Sequence, residues 1–184
     1  MTMKHKSSQV AIGGMASGLC LLLMFLTGMI PFSEYACPTF AGLVLIAVAE
    51  EMGRKTAFIV YGATALLSLL LAPSKEAAIL FLFFFGYYPV LRTILEQRVG
   101  VKLLRLVAKL LLFNVMIVLG YLVVINVLGI PDILEEFGSF GKYSALVLLL
   151  FGNLFFLVYD YTVGNLTEVY RDYFAPKFLR RGGR

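Results

Sequence analysis

Charged residues are scarce in this chain, and their scarcity is the first guide to its class. Only 15% of the 184 residues are Asp, Glu, Lys or Arg, whereas 60% are hydrophobic and the mean hydropathy is +0.89. An ordinary soluble domain carries about a quarter charged residues. The composition therefore predicts a protein that uses lipid as its solvent, and the net charge of +5 does not by itself indicate nucleic-acid binding.

Histidine and cysteine are also nearly absent. The single histidine, His5, lies in the N-terminal tail, so no His-based metal cluster and no Ser-His pair can form within the membrane. Cys20 lies inside the first apolar run and Cys37 in the polar loop after it, at depths that disfavour a disulfide. Glycine motifs that cradle phosphate are missing. We therefore expect no metal, no cofactor and no enzymatic activity.

Six apolar runs take up most of the chain, and four of them approach or exceed the roughly 20 residues that a tilted membrane-spanning helix needs. The runs are Val10–Ile30, Thr39–Ala49, Thr56–Ala72, Ala77–Leu91, Leu110–Leu128 and Tyr143–Tyr161. They predict an all-α fold, a polytopic membrane helical bundle of six transmembrane helices, as one integral membrane domain over residues 1–184.

The second run is the weakest of the six because it is short. It can gain length by including Tyr35–Pro38, or by placing Glu50 and Glu51 at the membrane interface. The alternative is four spans plus a re-entrant hairpin, which is permitted only where protein or water surrounds it.

Basic residues give the orientation, because cytoplasmic loops are enriched in Lys and Arg. With six spans and a cytoplasmic N-terminus, fourteen of the 16 Lys and Arg residues fall inside, and Lys75 and Lys142 fall outside. Both termini are therefore predicted to be cytoplasmic. The cytoplasmic parts are a tail over residues 1–9, a basic amphipathic connector over 92–109 and a basic tail over 171–184.

The connector carries cations at steps of four, three and four residues: Arg98, Lys102, Arg105 and Lys109. On one helix this spacing places all four on a single face. We expect this face to contact anionic lipid head groups or an acidic partner, and enforcement of topology is the simpler explanation.

A stripe of small residues marks the first helix: Gly13, Gly14, Ser17 and Gly18. Small residues four apart allow another helix to approach closely. The stripe predicts either packing of the first helix within its own bundle or docking of a partner subunit.

The fourth span is unusually aromatic, and Gly86 and Pro89 predict a kink in it. Its rings fit a packed core, or the wall of an apolar ligand cavity. Among the polar residues inside spans, Asn114, Asn126 and Asn153 are expected to hydrogen-bond between helices, and Asp160 lies at a depth where Arg92 can pair with it.

A six-span bundle with both ends inside, short acidic outer loops and a small-residue stripe on the first helix resembles the substrate-binding (S) components of energy-coupling-factor transporters. The resemblance implies a solute-binding subunit of a bacterial plasma-membrane transporter, whose partners are a transmembrane coupling subunit and ATPases. It also implies a small ligand in the outer half, capped by the loop with Glu34 and Tyr35. By depth and chemistry, the other polar groups best placed to contact the ligand are Lys75, Glu76, Asn126 and Asn153.

The segments 34–42 and 75–78 also resemble uncharacterised bacterial multi-pass membrane proteins. Two other functions remain open on the sequence. One is a non-catalytic scaffold or assembly protein of the cell envelope, which predicts a partner helix on the glycine stripe. The other is a lipid-handling protein or membrane enzyme, which requires Asp160, Arg92 or Glu50 to face a cavity open to lipid.

Overall fold

The computed structural model describes residues 3–30, 33–128 and 144–174, and within these ranges the chain is helical apart from short turns. The helices are α1 (Met3–Leu26), α2 (Ser33–Met52), α3 (Arg54–Leu71), α4 (Lys75–Leu80), a π-helix (Phe81–Phe85), α5 (Tyr88–Arg98), α6 (Lys102–Leu128), α7 (Ser144–Val169) and a terminal π-turn (Tyr170–Phe174). The prediction of an all-α bundle is confirmed.

Five helical segments are long and apolar enough to cross a membrane: Ser33–Met52, Arg54–Leu71, Lys75–Arg98, Lys102–Asn126 and Leu146–Asp172. The apolar part of α1, Val10–Leu26, is shorter at 17 residues. At 1.5 Å per residue it is about 25 Å long, against about 30 Å for the hydrocarbon core. The chain is therefore a multi-pass membrane protein. Its sidedness stays a prediction.

The short second run becomes a full span. Helix α2 is continuous over 20 residues, and it includes Pro38 near its start and Glu50 near its end. Pro38 is tolerated because it lies close to the N-terminus, where few backbone hydrogen bonds are lost. The lengths of α2 and α3, two separate helices of spanning length, favour two full spans over the fallback of four spans plus a re-entrant hairpin.

One glycine makes the turn between α2 and α3. Gly53 has φ of +86°, a left-handed conformation that side chains rarely adopt. Its N–H donates to the carbonyl of Ala49 at 3.1 Å, and its own carbonyl accepts from the N–H of Ala57 at 3.2 Å. Two antiparallel helices therefore follow each other with a single residue between them.

The connections fall at two ends of the bundle. At the first, which we call the basic end, Arg54 beside the α2–α3 turn donates to Gln97 at the end of α5, and Arg171 after α7 pairs with Glu50 of α2. At the opposite end, a Cβ added to Gly28 after α1 would lie 2.3 Å from Cβ of Pro73 after α3. Successive spans therefore alternate in direction.

The kinked fourth span forms the centre of the bundle. Of its most apolar window 56% is buried, against 17% to 39% for the other four long spans. The ring of Phe84 contacts those of Tyr88, Phe113, Phe156 and Tyr159 at centroid distances of 5.0 to 5.9 Å. The aromatic residues are therefore packed core, and the ligand-cavity reading of them is not supported.

The predicted kink is confirmed, and two tyrosine hydroxyls donate hydrogen bonds to backbone carbonyls within it. The N–H of Gly86 donates to the carbonyl of Phe81, five residues back, at 2.8 Å, as in a π-helix. The carbonyl of Phe85 faces Pro89, which has no N–H, and it accepts from the Tyr159 hydroxyl at 3.5 Å. The Tyr61 hydroxyl donates to the displaced carbonyl of Leu82 at 2.5 Å.

Two glycines allow neighbouring helices to reach the kink. A Cβ added to Gly42 of α2 would lie 2.2 Å from the carbonyl oxygen of Phe85, and one added to Gly86 would lie 2.6 Å from the ring of Tyr61. Any larger residue at either position would push the helices apart. The sequence pointed to Gly86 only as part of the predicted kink, and it gave no sign of the close approach at Gly42.

The predicted amphipathic connector over 92–109 is wrong. Helix α5 ends at Arg98, Val99 is extended with φ of −103° and ψ of 102°, and α6 begins at Lys102. The Arg105 guanidinium donates to the carbonyl of Val99 at 2.8 and 3.1 Å and holds this turn. Residues 92–98 complete the fourth span and 102–109 begin the fifth, so the cations share no single helix.

Candidate functional site

A cluster of polar side chains lies inside the bundle near its basic end, where α5, α6 and α7 meet. Asp160 of α7 is its centre. Oδ1 accepts from Nε of Arg92 at 2.8 Å, from Nζ of Lys109 at 2.8 Å and from the hydroxyl of Tyr88. Oδ2 accepts a second bond from Nζ of Lys109 at 3.0 Å. Both oxygens of the carboxylate are therefore occupied by donors from two other helices.

Glu96 completes the cluster. Its carboxylate lies 2.7 Å from Nη2 of Arg92 and 3.3 Å from Nζ of Lys109. The side chains of Lys109, Arg92 and Asp160 are 5%, 14% and 17% exposed, and that of Glu96 is 30% exposed. The two positive and two negative charges cancel, and buried charges in a low-dielectric environment need such pairing. We call these five residues the ionic cluster.

Helical spacing and one glycine assemble the ionic cluster. Tyr88, Arg92 and Glu96 are four residues apart, so all three lie on one face of α5. On α7, Gly164 lies one turn after Asp160, and a Cβ there would be 2.5 Å from Nη2 of Arg92. The glycine leaves the room that the guanidinium occupies.

Sequence reasoning found part of the ionic cluster. The predicted pairing of Arg92 with Asp160 is confirmed. The prediction that Lys109 contacts anionic lipid or a partner is wrong, because its ammonium is buried against Asp160. Tyr88 and Glu96 were missed, although their four-residue steps from Arg92 were a signal in the sequence.

A second polar contact joins α6 to α7. The amides of Asn114 and Asn153 donate to each other at 3.0 and 2.9 Å, and each also donates to the carbonyl four residues earlier in its own helix. This confirms the expected interhelical bonding of the two residues. Because the amide of Asn153 already donates to Asn114 and Leu149, these contacts give a ligand role for Asn153 no support.

The remaining predicted ligand residues lie apart in the structure. Lys75 donates to the carbonyls of Leu69, Leu70 and Ala72 at 3.0 to 3.3 Å, so its ammonium caps the end of α3 with all three of its donors. A ligand contact by Lys75 is therefore not supported.

The other candidates are more open. The side chains of Glu34 and Glu76 are partly exposed in the first turns of α2 and α4, Tyr35 is 60% exposed, and Asn126 is exposed on α6 with its amide bonded to Leu122. In the described part of the chain, no hydrogen bond or ion pair joins Glu34, Glu76 and Asn126 to one another. Their role with a ligand stays a prediction.

The small-residue stripe of α1 divides between two directions. Gly13 is buried, and a Cβ added to it would lie 3.5 Å from Cγ2 of Val60 in α3. Ser17 is partly buried. Gly14 and Gly18 are exposed, and a Cβ at either would meet nothing within 4 Å. The stripe therefore packs within the bundle through Gly13 and presents Gly14 and Gly18 outward.

The two remaining cations of the predicted basic face, Arg98 and Lys102, are exposed at the basic end. Arg105 is half-buried against the turn that it caps. Contact with anionic lipid or an acidic partner at this end stays a prediction for Arg98 and Lys102.

The lipid-handling alternative required Asp160, Arg92 or Glu50 to face a cavity open to lipid. Asp160 and Arg92 are bonded within the ionic cluster, and both oxygens of Glu50 accept from Arg171 at 3.0 to 3.3 Å. All three groups therefore have protein partners, and these contacts give the lipid-handling alternative no support. Residues 3–30, 33–128 and 144–174 contain no group of three metal-ligating side chains.

In comparisons with known proteins, the chain matches no family model, no curated protein and no solved structure.

Proposed function

We propose that this protein is a non-catalytic subunit of a membrane complex, and that it binds a transmembrane helix of its partner on the face of α1 that carries Gly14 and Gly18. The observation that supports this is the division of the glycine stripe. Gly13 packs against Val60 inside the bundle, whereas no residue in the described part of the chain lies within 4 Å of a Cβ added at Gly14 or Gly18.

Helix energetics make the outward glycines informative. Each glycine in a helix interior costs about 1 kcal/mol relative to alanine. In a membrane, helices associate through close packing, and a flat surface formed by Gly-x-x-x-Gly is the pattern that permits the closest approach. Leu22 and Phe25, 58% and 53% exposed, extend the same side of α1 with large side chains that can pack around a partner helix.

Between the two partner-binding functions, the described contacts favour a scaffold or assembly role in a bacterial plasma membrane. The donors of Lys75 and Asn153, two of the six residues predicted to contact a solute, are occupied by the protein itself. A solute-binding transport subunit would use the same face of α1, so it is the second candidate. The identity of the partner separates the two.

The test compares three purifications from native membranes with a mild detergent: wild type, Gly14→Leu with Gly18→Leu, and Gly62→Leu. Gly62 of α3 is a matched control, because a Cβ there also meets nothing within 4 Å. We expect the α1 variant to lose its partner and to insert normally, and the α3 variant to keep it. ATPases together with a membrane coupling subunit among the partners would select the transport function.

Unchanged complexes in the Gly14→Leu, Gly18→Leu variant would refute docking on α1. Loss in the Gly62→Leu control as well would also refute it, because the effect would then belong to any bulky residue on the bundle surface.

A further inference from the structure

Helices α2 and α7 touch at two levels and diverge between them. At the deeper level, Gly42 approaches Tyr159, since a Cβ at position 42 would lie 3.4 Å from the Tyr159 hydroxyl. At the basic end, Arg171 pairs with Glu50 at 3.0 Å and the Tyr170 hydroxyl donates to Glu51. An open groove of about 130 Å³ lies between these contacts and is lined by Leu43, Ile46, Leu166, Val169 and Tyr170.

The groove lies within one leaflet. From Leu43 to Glu50 the helix rises about 10 Å. The lining is apolar apart from the Tyr170 hydroxyl, which is turned to Glu51. A groove that opens sideways into hydrocarbon has no water to fill it. An acyl chain is the group that fits it.

Charges at the mouth of the groove select the head group. The Arg171 side chain is 59% exposed, and Nε and Nη2 bind Glu50, which leaves Nη1 directed away from that carboxylate. Guanidinium groups bind phosphate well. Glu51 is exposed beside it, and the charges of Glu168 at the end of α7 and of Asp172 in the terminal π-turn also act on Arg171. This acidic surrounding disfavours a head group with net negative charge and favours one that also carries an ammonium.

We infer that the α2–α7 groove binds one phospholipid from the leaflet at the basic end, and that the head group of this lipid combines a phosphate with a primary ammonium. The phosphate contacts Arg171, the ammonium donates to Glu51, and one acyl chain occupies the groove. This site is separate from the α1 face, so it does not depend on the partner proposed above.

The experiment titrates the full-length, delipidated protein in detergent with phosphatidylethanolamine, phosphatidylcholine and phosphatidylglycerol of identical acyl chains, and native mass spectrometry counts bound lipid. We expect one phosphatidylethanolamine to bind about tenfold more tightly than either other lipid, the equivalent of one charge-assisted hydrogen bond. Glu51→Gln at the exposed rim should reduce this preference to the level of phosphatidylcholine.

A pair of tryptophan variants tests the groove itself. Leu166 lines the groove and is 37% exposed, whereas Leu157 is 40% exposed on the opposite face of α7. Leu166→Trp should abolish the tight binding and Leu157→Trp should leave it unchanged. Equal effects of the two variants, equal or tighter binding of phosphatidylglycerol, or an unchanged preference in Glu51→Gln would each overturn the inference.

Discussion

Removing the carboxylate of Asp160 should cost more stability than any other single charge deletion in this bundle. Its Oδ1 lies 2.8 Å from Nε of Arg92 and 2.8 Å from Nζ of Lys109. At an effective dielectric constant of about 20, each attraction is about 6 kcal/mol before desolvation is counted. Asp160→Ala leaves two cations against Glu96 alone. Breaking a buried pair in this way costs about 3–5 kcal/mol of unfolding free energy.

The two buried thiols provide the assay. Cys20 is fully buried and Cys37 is 7% exposed, so a thiol-reactive fluorophore reports unfolding without an introduced cysteine. In detergent, Asp160→Ala should lower the unfolding midpoint strongly. Glu168→Ala, which removes an exposed carboxylate from the same helix, should change stability by less than about 0.5 kcal/mol.

A double variant distinguishes the effect of the unpaired charge from the effect of lost packing. Lys109→Met combined with Asp160→Leu removes one cation and one anion, and it leaves Arg92 paired with Glu96 at 2.7 Å. The double variant should regain most of the stability lost in Asp160→Ala, because replacing a whole buried pair by apolar groups is often neutral or better. If the double variant lost as much unfolding free energy as Lys109→Met and Asp160→Leu lose in sum, the charge-balance reasoning would be refuted.

Three other changes test the fold and its orientation. Gly42→Ala should destabilise the bundle by about 1–3 kcal/mol, because the added carbon meets the Phe85 carbonyl. The control Gly62→Ala should be neutral or slightly stabilising, and equal unfolding midpoints of the two variants would contradict the close approach at Gly42. Asn114→Leu should cost about 1–2 kcal/mol and the double change with Asn153→Leu no more than that, as measured by the same thiol assay. A cysteine in place of exposed Lys102 should react with a membrane-impermeant thiol reagent in permeabilised cells and should not react in intact cells. Labelling in intact cells would invert the predicted topology.

The number and type of elements could be predicted because they follow from local properties of the chain. Apolar run length predicts a helix, since a chain in lipid must satisfy its own backbone hydrogen bonds. The kink was also predictable, because it depends on the local residues Gly86 and Pro89. The pairing of Arg92 with Asp160 was predictable because two opposite charges lie at matching depths in their spans. The apolar run lengths predicted the helix boundaries less well at the basic end of the bundle, because α5 continues to Arg98 and α6 already begins at Lys102.

The connector shows why local pattern was insufficient. The steps of four, three and four from Arg98 to Lys109 fit one amphipathic helix, but the turn at Val99 divides them between two spans. Once α6 begins at Lys102, two turns of helix bring Lys109 to the depth of Asp160. Its partner is 51 residues away in the sequence, and no periodicity could show that contact.

The sequence alone determined that this is a helical multi-pass membrane protein, because composition and run length decide which solvent a segment can occupy. Only the tertiary structure decided which polar groups are committed to the protein and which remain open. Asp160, Lys109 and Lys75 are bonded internally, whereas the Gly14–Gly18 face and the α2–α7 groove stay available. The physical reason is that hydrogen bonds and close approaches depend on pairs of residues, and the fold chooses the pairs.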